Sequence, residues 1–227
     1  MIRLPDLPPE DPVEEAAHHM AVDEAMWEWT LAHDTAAARF FRWDRPAKTV
    51  GYFEAKKQPD SGAIRRITGG GLVEHGEDLT FAMAFPKSHP IANLPAPSCY
   101  RQLHQSLASS LRSAGLDLAL AEADQGKLRA TEPGRCFVSP VVSDLIDPKI
   151  GTKMGGGAQR RRRGGLIHQG SLRLPDEFGK VDHPWIESWL ESANKLVQPP
   201  SDHILSEIRS RAKILQKERY LSEGWNS

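Results

Sequence analysis

Apolar residues recur every three or four positions in several stretches of the chain, and they alternate or cluster in short runs in most of the others. Val22, Met26, Trp29 and Ala32 share one face of a helix expected over about 19–33. Tyr100, Leu103, Leu107, Leu111 and Ala114 do the same further on, with Ser98 placed to cap that helix and Gly115 to end it. Near the C-terminus, Trp185, Trp189 and Ala193 outline one helix. After Pro199-Pro200, Ile204, Ile208, Ala212 and Leu215 outline another. Strand-like runs fall at 38–43, 49–53, 64–67, 72–73, 79–85, 141–146 and 165–174, several of them stopped by Pro or Gly. The first dozen residues are rich in Pro, Asp and Glu and predict an arm, 1–15, on the surface or disordered.

Between 64 and 86 the order is strand, glycine loop, strand, polar loop, strand, which favours antiparallel pairing over a βαβ unit. The expected class is α+β: a central mixed, largely antiparallel sheet flanked by helices. A length of 227 residues suits one such domain, 16–227, with C-terminal helices at about 183–222. Twenty-nine basic residues against thirty acidic ones give a net charge of −1, so no global field points to nucleic acid or an anionic membrane. The start carries no secretory pattern, and no apolar run approaches the ~20 residues of a membrane span. The expectation is a cytoplasmic protein. Its two cysteines, Cys99 and Cys136, are too few for a disulfide framework and lack zinc-site spacing, so they are expected to be reduced thiols and no metal site is expected.

Candidate chemistry gathers at two glycine runs. Arg65-Arg66-Ile67-Thr68-Gly69-Gly70-Gly71 joins fork donors to backbone an anion can approach, although a glycine hairpin with solvated arginines is the plainer alternative. It lacks the Lys-Ser/Thr ending of a P-loop, and no helix follows it as in a dinucleotide fingerprint. Lys153 precedes a second run, Gly155-Gly156-Gly157, expected as a loop, with Ala158 and Gln159 beyond. Arg160 to Arg163 form a basic cluster fit for an acidic protein partner. A nucleic-acid reading has no further motif to support it. His75 and His168 lie near the glycine runs. Arg135 beside Cys136 favours a thiolate there, whereas Cys99 reads as a buried inert thiol. These residues alone reach an anion-binding α+β domain with one available thiol.

Taken together, the segments resemble the lipoate–protein ligase and octanoyltransferase family, relatives of biotin–protein ligases. His19 to Ala25 is similar to the opening N-M-A-x-D-E-A helix, with His19 in place of asparagine. Arg39 to Trp43, Pro46 and Gly51-Tyr52-Phe53 resemble R-F-Y-x-W…P…G-Y-F. Arg65 to Thr80 resembles R-R-x-T-G-G-G-x-V-x-H-x-x-D-L-T, with Ile67 where proline is usual. Lys153 to Gln159 is similar to K-x-x-G-x-A-Q, and His168-Gln169-Gly170-Ser171 completes the series.

The resemblance implies a biotin/lipoyl ligase-like domain with an acyl chain under the glycine loop. Arg65, Arg66, Gly69, Gly70, Gly71, His75, Gly156, Ala158, Gln159 and His168 would line the acyl or acyl-adenylate site, with Lys153 at the reactive carbonyl or phosphate. The acceptor would be the lysine of a lipoyl domain, as in 2-oxoacid dehydrogenases or the glycine cleavage H protein, docked by Arg160, Arg161, Arg162 and Arg163. Cys136-Phe137-Val138-Ser139-Pro140 with Asp144-Leu145 resembles the C-F-x-x-P-x-x-x-[DE]-L block of one octanoyltransferase branch. That block favours acyl carrier protein as donor, a thioester on Cys136 with Lys153 assisting, and no tightly bound cofactor. The alternative is a ligase using ATP and Mg²⁺ through a lipoyl-adenylate. The chain's end near Trp225 leads us to expect no accessory C-terminal ligase domain. A non-catalytic lipoate-binding relative is more remote because Lys153 is present, and the G-R-G-R-x-G-R-x-W loop of biotin ligases is absent.

Overall fold

The computed structural model describes residues 1–54, 62–122 and 140–226. The described residues form two sheets. The larger has seven strands in the order β1 (Ile2–Arg3), β2 (Ala37–Arg42), β6 (Leu79–Phe85), β10 (Gly165–Leu172), β9 (Lys153–Arg162), β8 (Leu145–Ile146) and β7 (Ala119–Leu120). All its neighbours are antiparallel except β1 on β2. The smaller sheet places β3 (Ala47–Val50) between β4 (Ile64–Arg65) and β5 (Val73–His75). The fold is α+β, as expected.

Helices cover both faces of the large sheet. On one face α2 (Ala96–Ser113) and α3 (Pro184–Ala193) bring Leu103, Leu107, Trp185 and Trp189 against Phe40 and Phe81. Phe81 is fully buried, and each such side chain stabilises the fold by about 1.5–3 kcal/mol. On the other face lie α1 (Glu15–His33) and α4 (Asp202–Leu215), with the short α5 (Glu223–Asn226) beyond. α1 sits between the sheet and α4, and this explains why its single predicted face is not what forms. Met20, Ala21, Val22, Ala25 and Met26 are buried almost without interruption, as is normal for a helix covered on both sides.

Several expectations need correction. Residues 1–15 are not a surface or disordered arm: Ile2 and Arg3 pair with Ala37 and Ala38, and Met1, Ile2, Leu4 and Leu7 are buried. Those four apolar side chains outweigh the polar composition around them. Tyr52 and Phe53 form a turn after β3 rather than its end. α2 begins at Ala96 with Pro97 in its first turn, so Ser98 is inside the helix. Of 141–146 only Leu145–Ile146 is strand. Gly155-Gly156-Gly157, expected as a loop, lies inside β9: all three pair with β10, and Gly155 pairs with Leu145 of β8 as well. The basic run continues that strand into a two-residue turn whose residues, Arg163 (φ 51°) and Gly164 (φ 82°), are both left-handed, which matches the twist of a hairpin. Among the described residues no helix is long and apolar enough to cross a membrane.

Candidate active site

A small, largely apolar cavity lies between the small sheet with its glycine loop, the centre of β9 and β10, and Met20 of α1. Gly51 permits the loop's position: a Cβ there would lie 1.8 Å from the Gly70 carbonyl oxygen. The Arg66 guanidinium donates to the carbonyls of Gly69 (3.1 Å) and Gly71 (2.8 Å) and to Thr49 Oγ1 (2.7 Å). The Asp78 carboxylate accepts from His75 Nδ1–H (Oδ2, 2.8 Å), so in the neutral ring Nε2 is the acceptor and the Thr49 hydroxyl donates to it (2.7 Å). Burial lowers the His75 pKa, so the ring is neutral near pH 7. Burial alone would raise Asp78. The hydrogen bond from His75 and the charge that ring gains when protonated at acid pH, with hydrogen bonds from Ser171 and the Gly76 N–H, outweigh it and hold that carboxyl at about 2. The glycine loop is thus braced by a buried chain running from Asp78 through His75, Thr49 and Arg66.

The second glycine run has a steric rationale. Lys153 Nζ pairs with Asp144 Oδ2 at 2.7 Å, and both side chains are buried. Asp144 Oδ2 also accepts the Val141 N–H (2.8 Å), while Oδ1 accepts the Tyr100 hydroxyl (2.6 Å). Tyr100 in turn accepts the Gly157 N–H at 2.8 Å. A Cβ on Gly156 would sit 2.6 Å from Asp144 Oδ1 and 2.9 Å from Lys153 Cε. No side chain fits at Gly156 because the ion pair occupies its space, while Gly155 is crowded by Leu172 and Gly157 by the His168 ring. Glycine is a poor strand residue, and here it marks a close approach.

Gln169 also lines the cavity, and its amide orientation is set from both ends. Its Oε1 accepts from Thr68 Oγ1 (2.7 Å) and its Nε2 donates to Asp23 Oδ2 (2.6 Å). Asp23 is fully buried against Arg39 (3.2 Å). Burial raises its pKa, and Arg39 and Gln169 oppose that shift. Arg39 NH2 donates to His19 Nδ1 at 2.9 Å.

Of the residues singled out in the sequence, Arg66, Gly70, His75, Lys153, Gly156 and Ala158 line the cavity. Among the described residues Arg66 and Lys153 are its charged lining residues, and the carboxylates of Asp78 and Asp144 stand behind that lining. The wall therefore suits an anion or a polarised carbonyl. Arg65 faces elsewhere: it donates to the carbonyls of Tyr52 and Trp225 and stacks on both rings, tying α5 to β4. Gly69 and Gly71 contribute the carbonyls that Arg66 holds. Gln159 points to the opposite side of the sheet, where its Nε2 meets Cys99 Sγ at 3.4 Å, and His168 meets His104 there at 3.1 Å. Arg160 and Arg161 bond the carbonyls of Ile67 and of Ala92 and Leu94, which leaves Arg162 and Arg163 as the exposed tip. Cys136 lies outside the described residues. Sequence reasoning gave no role to Tyr100, Thr49, Thr68 or Gln169. Asp78, Gln169 and Asp144 stood inside the quoted motifs, whereas nothing local marked Tyr100.

Residues 15–195 match the model of the lipoyl protein ligase A/B catalytic domain. The chain is 32% identical over 172 residues to octanoyltransferase LipM of Geobacillus kaustophilus, covering 70% of this chain and 61% of that protein. It is 30% identical over 179 residues to octanoyltransferase LipM of Bacillus subtilis, covering 73% and 64%. The match thus spans about three-fifths of the length of these curated relatives. Among solved structures, a lipoate-protein ligase A bound with ATP superposes with a TM-score of 0.69 at 21% identity over 99% of this chain and 97% of that one. A bi-partite lipoate protein ligase from Thermoplasma acidophilum, studied with its E2 lipoyl domain, gives 0.67 at 22% identity over 99% and 94%.

Proposed function

This chain belongs to the lipoyl protein ligase A/B catalytic domain family, and from that premise we propose that it transfers an octanoyl group to the target lysine of a lipoyl carrier domain. The observation that carries the reading is the buried Lys153–Asp144 pair on the wall of a cavity whose other charged lining residue is Arg66. In this reading the acyl chain lies under the glycine loop among Met20, Val73 and Ala158, with its carbonyl toward Lys153. The ammonium offsets charge developing on the carbonyl oxygen, as a pre-placed cation in a water-poor site does best.

The donor favoured is an acyl carrier protein thioester, in keeping with the sequence relatives named octanoyltransferase. The Cys136 thiolate attacks the thioester carbonyl and displaces the carrier's thiolate, which takes up a proton. The acceptor lysine amine then attacks the enzyme thioester, forming the amide and returning the Cys136 thiol. Arg162 and Arg163, at the exposed hairpin tip, are the residues best placed to meet an acidic carrier domain, either from a 2-oxoacid dehydrogenase or from glycine cleavage H protein. A ligase reading, with lipoate activated by ATP and Mg²⁺, is supported by the fold shared with an ATP-bound ligase.

Intact-mass analysis of an apo lipoyl domain separates the two. Octanoyl-acyl carrier protein without ATP is supplied in one arm, and lipoate or octanoate with ATP and Mg²⁺ in the other. Modification in the first arm, lost in Cys136→Ser, is the expected result. Modification confined to the second arm and surviving that substitution would replace the transferase reading with the ligase one.

A further inference from the structure

We propose that Tyr100 and His104, on the face of the sheet away from the cavity, are positioning residues that set the Lys153 ammonium by gripping the Ser143–Asp144 turn from α2. The inference rests on the reading of Lys153 as the group that acts on the acyl carbonyl. The two residues are one helical turn apart and so project from the same side of α2. Their rings are 4.1 Å apart. Tyr100 holds the Asp144 carboxylate at 2.6 Å and is itself fixed by the Gly157 N–H at 2.8 Å. His104 Nδ1 lies 2.8 Å from the Ser143 carbonyl oxygen. A carbonyl can only accept, so the His104 proton is on Nδ1 and its Nε2 is an acceptor. His168 must then donate from its own Nε2 across 3.1 Å.

What His104 holds is a strained residue. Ser143 has φ 71°, left-handed for a residue with a side chain. Such a conformation persists only where its surroundings over-determine it. Here the Ser143 N–H is taken by the Ala121 carbonyl (2.8 Å) and the Ser143 carbonyl by His104, so both ends of its backbone are held. The next residue is Asp144, whose carboxylate receives Lys153, Tyr100 and the Val141 N–H. Burial, with a smaller opposing pull from Asp144, holds the His104 pKa at about 4, and the ring stays neutral at working pH. The groups that face it are Asp144, Lys153, Tyr100 and His168. Neither Tyr100 nor His104 lines the cavity, yet the Tyr100 hydroxyl bonds both the Asp144 carboxylate and the Gly157 N–H of β9.

The test compares the full chain with Tyr100→Phe, His104→Asn and His104→Gln, using octanoyl-acyl carrier protein and an apo lipoyl domain. Lys153→Ala is run first, because full activity in that variant would defeat the reading of Lys153 itself. Tyr100→Phe keeps the ring and removes the hydrogen bond to the Asp144 carboxylate together with the one from the Gly157 N–H. It should lower kcat about tenfold with KM for the lipoyl domain within about twofold. It should also move the Lys153 titration, followed by NMR on ¹³C-lysine-labelled protein, to higher pH, because the carboxylate charge no longer shared with the phenol is left to the ammonium. His104→Asn puts a donor where Nδ1 was, and His104→Gln puts one where Nε2 was. The Asn variant should keep several-fold more activity than the Gln variant. A merely structural role would lower the melting temperature of both while leaving the titration in place. With Lys153→Ala inactive, an unchanged kcat and Lys153 titration in Tyr100→Phe, or equal activity in the Asn and Gln variants, overturns the inference alone.

Discussion

Gly156→Ala perturbs the Lys153–Asp144 pair without removing a single functional atom. The new methyl carbon would lie 2.6 Å from Asp144 Oδ1, 2.9 Å from Lys153 Cε and 3.0 Å from Nζ, and real Cβ contacts are not that short. Something must shift. Asp144 is held by Tyr100 and by the Val141 N–H, so the lysine end of the pair has the easier path away. Overpacking of this kind costs about 1–3 kcal/mol of stability. Displacing an acting group by about 1 Å costs on the order of 10²-fold in rate, or about 2.7 kcal/mol of transition-state stabilisation. The assay is the rate of octanoyl transfer by intact mass, with thermal unfolding beside it. Gly224→Ala serves as the control, because nothing lies within 4 Å of a Cβ at that position. We expect a stably folded Gly156→Ala protein with about 1% of the transfer rate and a control near the parent. A Gly156→Ala enzyme with parental rate and melting temperature would refute both the steric account of the glycine run and the role given to the ion pair.

Two further outcomes follow from buried charges. Asp78 has its folded pKa lowered from 3.8 to about 2, so it contributes about 2 kcal/mol that is fully present well above pH 4 and lost as pH falls through the folded value. Chemical denaturation between pH 5 and pH 2 should therefore show a shallower acid loss in Asp78→Asn than in the parent, and equal slopes would count against the bracing chain behind the glycine loop. Arg39→Met leaves the fully buried Asp23 carboxylate without its cation, which should cost about 3–5 kcal/mol, or roughly 10 °C in melting temperature for a domain of this size. Adding Asp23→Asn should restore part of that loss, and a double variant no more stable than the single one would contradict the assignment.

Periodicity made the elements legible where one face is buried; in a helix buried on both sides it marked the element but not its buried face, and it failed where the element is very short. α2, α3 and α4 were readable from Leu103, Leu107, Trp185, Trp189, Ile208 and Ala212, because each helix meets the core along one stripe. α1 has no such stripe, since α4 covers its outer side and even Glu15, His19, Asp23 and Glu24 are buried. β1 was invisible because two residues carry no period. Its placement depends on Ile2 and Arg3 finding the open edge of β2, which no local pattern announces.

The site was legible in a different way. Arg66, His75 and Lys153 stood out by chemistry and motif, yet Tyr100, 44 residues from Asp144, was only an apolar-face residue until the sheet closed. Glycine supplied a signal that was present and misread. A triple glycine suggested a loop because glycine frees the backbone, but in β9 it leaves room for side chains from elsewhere. At Gly156 the room is filled by Asp144 and Lys153, and at Gly157 by the His168 ring, whose Cε1 would be 2.7 Å from an added Cβ. The strip therefore joins the two faces of the sheet: the cavity is on one side, and the α2 residues that hold Asp144 are on the other. On that account the tolerance of β9 to substitution should follow what opposes each glycine and not strand propensity. A bulkier residue at Gly156 should then harm transfer more than it harms folding.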